Sequence, residues 1–339
     1  MLFPGERAVR PGASGEGRNS PLLSIQRLHI IYSRGNGRMK KAVAVFLGCV
    51  LLAGLFVGGA AAEKHKVYLI TMDQMDQHWV TVNAGAEKAV AELGTIDYKW
   101  LAPDVKDDAK QIEAVNNAVA GGAQVLLVAA NGPTAISAAL KEASEAGVKI
   151  VYVDSPADFP AIQTLATDNE AAGVTAGKEM LKALEAAGVA EGKIGIVNVN
   201  AATASTVARE KGFRAAFEGT KFELLETQYC DGDAARAKDI ASNYITQGCV
   251  GIFGANEGST VGTGNAIQEA GGNVVGVGFD KSNMILSLIK NGFLVATMAQ
   301  NPDVMGYEGV KTAARALAGE STGAEYVDTG VSVLTKNDL

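Results

Sequence analysis

The chain has 339 residues, 47% of them hydrophobic, and 37 Asp and Glu against 30 Lys and Arg, for a net charge of −7. An acidic balance argues against nucleic acid or an anionic membrane as the partner, and no set of its three Cys and three His has metal-ligand spacing, so neither a metal nor a cofactor is expected. The length leaves room for two domains.

The first 62 residues are set aside before any fold is read. Residues 1–38 are rich in Arg, Gly and Ser without apolar periodicity and read as a misassigned upstream extension, with translation starting at Met39. Met39-Lys40-Lys41 is a basic start, Ala42–Val57 an apolar run, and Gly58–Ala62 a set of small residues before Glu63, which together read as a signal peptide over 39–62. The apolar run is short for a membrane span, which needs about 20 residues. It continues past Cys49, so that Cys belongs to an ordinary signal sequence and not to a lipobox. An exported, soluble, periplasmic protein is therefore expected. Residues 1–62 hold eight basic and two acidic side chains, so the 277 that remain carry 22 against 35, a net charge of −13.

From there strand and helix patterns alternate with short connections, the βαβ signature of parallel sheets. Strands are predicted at 67–72, 97–101, 124–128, 149–153, 163–166, 193–198, 222–230, 250–255, 274–279 and 294–299. Helices are predicted at 78–93, 106–120, 134–146, 169–186, 204–218, 234–246, 258–270, 282–290 and 303–318. The order repeats from Lys193, which predicts two similar doubly wound, Rossmann-like α/β lobes with a ligand cleft between them. Cys230 closes one predicted strand and Cys249 opens the next, at opposite ends of a parallel sheet, so free thiols are expected.

Five of the strands end in Asp or Asn: Asp73, Asp154, Asn198, Asn256 and Asp280. Ligands of open parallel sheets bind outside the carboxyl ends of the strands, so these groups stand where a ligand is held. A dinucleotide enzyme is disfavoured, because the first strand feeds Thr71-Met72-Asp73-Gln74-Met75-Asp76-Gln77, which has no glycine and two carboxylates. The glycines between 258 and 264 fall inside a predicted helix, where they mark close packing. No nucleophile–base pair is visible, and the chain is not read as an enzyme.

The strings Thr167-Asp168-Asn169, Ala208-Arg209-Glu210-Lys211-Gly212-Phe213, Ala255-Asn256-Glu257, Val277-Gly278-Phe279-Asp280 and Thr297-Met298-Ala299-Gln300, in this order, resemble type I periplasmic sugar-binding proteins, nearest the ribose-binding-protein-like branch. The resemblance covers essentially all of 63–339. It implies an extracytoplasmic receptor that delivers a sugar to an ABC importer, with lobes joined by three crossovers that close around the ligand. The first lobe would be 63–166 plus 301–329, and the second 167–300 plus 330–339, with a last strand at Gly330–Thr335 near the hinge.

Asp280 ends a very apolar strand, and a carboxylate there accepts two hydroxyls at once; the alternative is an N-cap for the helix at 282–290. Asp154 has the same pair of readings in the other lobe. Asn256 offers a donor and an acceptor, against a cap. Arg209 stands on a helix, where a lone Arg is usually solvated, but the resemblance implies a forked donor to sugar oxygens. Gln300 follows the crossover strand, as a hinge or ligand residue. His78 and Trp79 match paired aromatics of the ribose-type pattern, with His replacing one ring; Trp79 reads equally as core. Asp76 matches a family Asn, and Trp100 points away from the cleft. Ser155 replaces an Arg of that pattern, Pro156 stiffens the turn, and Gly232 stands where an aromatic is expected.

These departures argue against plain ribose. The expected ligand is a monosaccharide or cyclic polyol, with a furanose-like autoinducer or a chemotaxis ligand as the alternative. Expected partners are an ABC permease and a chemoreceptor, and a monomer is expected.

Overall fold

The computed structural model describes residues 63–339; the expected extension and signal peptide lie outside the described residues. The elements are β1 (His65–Ile70), α1 (Gln77–Leu93), β2 (Ile96–Leu101), α2 (Asp108–Ala120), β3 (Val125–Val128), α3 (Pro133–Glu145), β4 (Lys149–Val153) and β5 (Gln163–Ala166). They continue as α4 (Asn169–Ala186), β6 (Gly192–Asn198), α5 (Ala204–Ala216), β7 (Phe222–Leu224), β8 (Gln228–Tyr229), α6 (Ala234–Thr246), β9 (Cys249–Gly254) and α7 (Glu257–Glu269). The last are β10 (Val275–Phe279), α8 (Asn283–Lys290), β11 (Ala296–Gln300), α9 (Pro302–Ala318), β12 (Tyr326–Asp328) and β13 (Val331–Thr335).

The helix starts follow from local chemistry. Asp107, Asp168, Asp233, Asn256 and Ser282 each accept a hydrogen bond from a first-turn backbone N–H, and Pro133 and Pro302 open helices where no N–H partner is needed. Gly94 and Gly319 end α1 and α9 in the left-handed conformation.

Two sheets result, ordered β12-β5-β4-β3-β1-β2 and β13-β11-β10-β9-β6-β7, with β8 beside β6. The first is wholly parallel; in the second, β13 alone runs antiparallel, to β11. Each sheet is buried on both faces, as parallel sheets are. In β1, Val67 and Leu69 join Trp79, Val82, Met305 and Val310 on one side. Tyr68 and Ile70 join Val115, Ile136 and Leu140 on the other. The second sheet has the same two layers, one built on Phe213, Phe217, Phe253 and Phe279 and the other on Val197, Tyr244 and Ile252. The chain passes between the sheets three times, after β5, after β11 and after β12.

Two stretches depart from the sequence reading. The single strand expected at 222–230 is two short ones, β7 beside the start of β6 and β8 beside its end. Between them the Leu225 N–H still reaches Ile194 of β6 at 2.9 Å, but the Leu225 carbonyl and the Thr227 hydroxyl turn to the Arg214 guanidinium of helix α5, at 3.1 and 2.8 Å. β12 was not foreseen: three residues of mixed polarity carry no strand period, and only the parallel edge of β5 makes them one.

Cys230 and Cys249 are buried and free. The glycines of α7 do mark close packing. A Cβ at Gly262 would lie 2.4 Å from the Cβ of Ala237, and one at Gly264 would lie 2.5 Å from Leu288.

Candidate functional site

A narrow void lies between the carboxyl ends of the two sheets, lined by Met72, Asp76, His78, Trp79, Lys106, Asp154, Val199, Thr203, Ser205, Thr206, Arg209, Asn256, Asp280 and Gln300. All eight residues singled out from the sequence (Asp76, His78, Trp79, Asp154, Arg209, Asn256, Asp280 and Gln300) face this one space. Trp100 does not line it; its indole N–H donates to the Thr71 hydroxyl at 2.9 Å.

Asp154 and Asp280 are a matched pair. Each follows the last residue of a buried strand, β4 or β10, and each takes a left-handed backbone, with φ of 65° and 75°. Each backbone N–H bonds to the neighbouring crossover strand, Asp154 to Leu165 and Asp280 to Met298, both at 2.9 Å. Left-handed backbone is uncommon outside glycine and clusters at functional positions. The cap alternative for Asp280 is excluded, because Ser282 accepts the first-turn N–H of α8.

His78 stands between the two carboxylates. Its Nε2 is 3.1 Å from Asp154 and its Nδ1 is 3.5 Å from Asp280, while its backbone N–H donates at 3.1 Å to Glu257, which opens α7. Burial pushes the imidazole pKa down, but hydrogen bonding to Asp154 and the charges of Asp154 and Asp280 outweigh it, and the pKa is raised. Burial likewise pushes the Asp154 carboxyl up, yet His78 and Arg209 hold it below the ordinary value.

Arg209 is 2% exposed, on helix α5. Its Nε donates to Asn169 at 2.8 Å and Nη1 to the Ala255 carbonyl at 3.0 Å, and the guanidinium lies 4.5 Å over the Phe279 ring. α5 reaches this depth because α4 and α5 touch backbone to backbone: a Cβ at Gly173 would meet the Arg209 carbonyl at 2.1 Å, and one at Gly212 the Glu170 carbonyl at 2.0 Å. Nη2 has no hydrogen-bond partner and is 3.7 Å from Asp154. The Trp79 indole nitrogen is also buried without a partner. That ring is 4% exposed and belongs to the core of the first sheet while it also lines the void.

Asn256 and Gln300 line the void and also hold the scaffold. Asn256 caps α7 in a reciprocal capping box with Ser259, using its Oδ1, which leaves the amide nitrogen uncommitted. Gln300 accepts from Thr167 at 2.8 Å near the crossover and donates to Asp280 at 2.6 Å in the cleft.

The other two strand-end residues turn away. Asp73 Oδ1 accepts the N–H groups of Met75 and Asp76, and Asn198 bonds to Glu210, Thr206 and its own neighbour Val199. Asp73 holds its turn and also pairs with Lys106, and Asn198 ties the end of β6 to helix α5.

Sequence reasoning missed Lys106 and Glu257. The Lys106 ammonium pairs with Asp76 at 2.8 Å and with Asp73, its side chain 6% exposed. Burial together with Asp76 and Asp280 pushes the Glu257 carboxyl up to about 7. The sole signal for Glu257 was its place after Asn256; Lys106 had none. Ser155, where the resemblance led one to expect Arg, is fully buried, and its hydroxyl accepts from the backbone N–H of Ser205 at 3.4 Å across the cleft. Thr203 bridges likewise to the Asn131 carbonyl at 2.7 Å.

Residues 67–321 match the model of the periplasmic binding protein domain, and the chain belongs to that family. It is 30% identical over 292 residues to the ribose import binding protein of Escherichia coli, covering 84% of this chain and 96% of that one. Among solved structures it is similar to a carbohydrate transporter solute-binding protein of Agrobacterium radiobacter in complex with D-arabinose, at 30% identity and a TM-score of 0.78, covering 82% of this chain and 96% of that one. It is also similar to an ABC transporter solute-binding protein of Agrobacterium vitis bound with α-D-tagatopyranose, at 28% identity and a TM-score of 0.76, covering 81% and 96%.

Proposed function

We propose that this chain is an extracytoplasmic solute-binding protein that captures one monosaccharide or cyclic polyol in the cleft and delivers it to an ABC importer. The observation that carries this reading is the pair of buried, unpartnered donors, Arg209 Nη2 and Trp79 Nε1, set in a void lined by acceptor carboxylates. A buried polar group left unmade costs about 1–3 kcal/mol, and a ligand rich in hydroxyls satisfies donors and acceptors alike.

Charge and size narrow the ligand. The lining sets the carboxylates Asp76, Asp154 and Asp280 against the cations Lys106 and Arg209, with His78 between two of the carboxylates, a mixture of signs that favours a neutral molecule. The space between the lining residues is narrow, which favours a small ligand. The E. coli relative is named for ribose, and the two solved relatives hold a pentose and a ketohexose, all in this class. In this reading Asp154 and Asp280 accept hydroxyls from opposite sides, Arg209 and Asn256 donate to ring or hydroxyl oxygens, Trp79 and His78 flank the ring, Gln300 orients Asp280, and Asp76 accepts at the mouth. Closure of the two lobes presents one shape to the permease.

The test is calorimetric titration of the purified protein with pentoses, hexoses and inositols. Saturable binding of one of these, abolished in Asp280→Ala with the fold intact by circular dichroism, is the expected result. No binding across the whole set would overturn the reading.

A further inference from the structure

Gly232 and Lys106 are linked across the cleft. Gly232 has φ of 76°, next to Asp231 at φ 53°, a left-handed pair in the loop after β8. A Cβ on Gly232 would lie 2.7 Å from Lys106 Nζ and 2.9 Å from its Cε. The space in front of Gly232 is thus taken by a lysine that arrives from the loop between β2 and α2 of the other sheet.

Asp76 behaves oddly for its position. It is the residue before the first turn of α1, where an Asp ordinarily accepts a backbone N–H, yet its side chain makes no such bond. Asp73 already holds the turn. The Asp76 carboxylate points to the void and to Lys106 instead. An ammonium has three donors; Asp73 and Asp76 occupy two, and the third remains beside the void. Asp76 keeps one oxygen not engaged by Lys106. Burial, with Asp73 and Asp280 nearby, raises its pKa despite Lys106, which marks an acceptor short of donors.

We propose that Lys106 and Asp76 act as a pair that reads one hydroxyl of the ligand, the ammonium donating to its oxygen while the carboxylate accepts its hydrogen. This inference rests on the sugar- or polyol-binding reading above. At this end of the cleft the ligand meets an ion pair and no aromatic wall, so a hydroxyl-bearing edge is required and a bare C–H edge is rejected. Lys106 is then a specificity-determining residue that touches the ligand and sets the depth of the pocket in front of Gly232.

The experiment is calorimetry on wild type with D-ribose, D-arabinose, D-tagatose and myo-inositol, followed by the monodeoxy analogues of each compound that binds. One deoxy position should weaken binding roughly 10- to 150-fold, the range for hydrogen bonds to charged groups. In Lys106→Met the penalty at that position should shrink to about threefold or less, while penalties at other positions persist. If Lys106→Met weakens every analogue by one common factor, or leaves the deoxy profile unchanged, the pair is only structural and the inference is overturned. Should thermal melting show Lys106→Met unfolded, the isosteric Asp76→Asn decides by the same profile. Wild type that binds none of the compounds removes the functional reading and this inference with it; wild type that binds with an intact profile in the variants removes only this one.

Discussion

The two halves of the cleft are built differently, although their strands end alike. On the second sheet four cleft groups are also held by their own scaffold: Arg209 by Asn169 and Ala255, Asn256 by Ser259, Asp280 by Gln300, and Gln300 by Thr167 near the crossover. On the first sheet the cleft groups come from the start of α1, the β2–α2 loop and the end of β4, and they are held mainly by opposite charge, Lys106 on Asp76 and His78 on Asp154. Asp154 alone repeats the geometry of its counterpart. Preorganised donors bind with less ordering cost, so the second half is suited to receive the ligand and the first to close on it and discriminate.

The largest test of this contrast is Arg209→Met. It removes the guanidinium 3.7 Å from Asp154, leaving His78 alone beside that carboxylate, and breaking a buried pair costs about 3–5 kcal/mol. Denaturant unfolding should show a loss of this order along with lost binding; a loss near zero would mean that the second half is not set by this network.

Asp280→Asn comes next. Asn tolerates the left-handed backbone, so stability should change little while affinity falls by about 1.5–3 kcal/mol. A drop in melting temperature matching the loss in affinity would make Asp280 a scaffold group and break the comparison.

The charge-held half should respond to pH. The pKa of His78 is raised in the folded protein, so its contribution is complete below the ordinary value near 6.5 and is lost as pH rises through the higher one. Glu257 moves from 4.5 to about 7, so its contribution is lost in the same direction, accumulating between those two values. Asp154 is lowered from 3.8 and contributes only to loss at still lower pH. Melting temperature should therefore fall between about pH 5 and pH 8, and the slope should shrink in Glu257→Gln. A flat profile would separate His78 from closure.

The smallest effect belongs to Ser282→Ala. Loss of the α8 cap should cost about 1 kcal/mol of stability and leave affinity unchanged, because Ser282, and not Asp280, does the capping.

Much of this was legible in the sequence, because period and punctuation are local. Apolar runs followed by helical patterns specify parallel sheets, and a polar residue at a strand end lies at the ligand face in any such fold. That is enough for Asp154, Asn256 and Asp280, and the ordered strings add Arg209 and Gln300. Which strand-end residues line the cleft was not legible: Asp73 and Asn198 share the pattern, but Asp73 holds its own turn and Lys106, and Asn198 bonds to helix α5. Nor was the split at Leu225–Thr227, which depends on where Arg214 reaches.

By itself, the sequence determined the class of fold, the strand ends and the family. The tertiary structure decided that His78 bridges two carboxylates from opposite sheets, that Glu257 meets its backbone, and that Lys106 fills the space before Gly232. The physical reason is range. Hydrophobic period and capping act over a few residues, whereas buried charges pair with whatever the closed lobes bring within about 4 Å, at any separation along the chain.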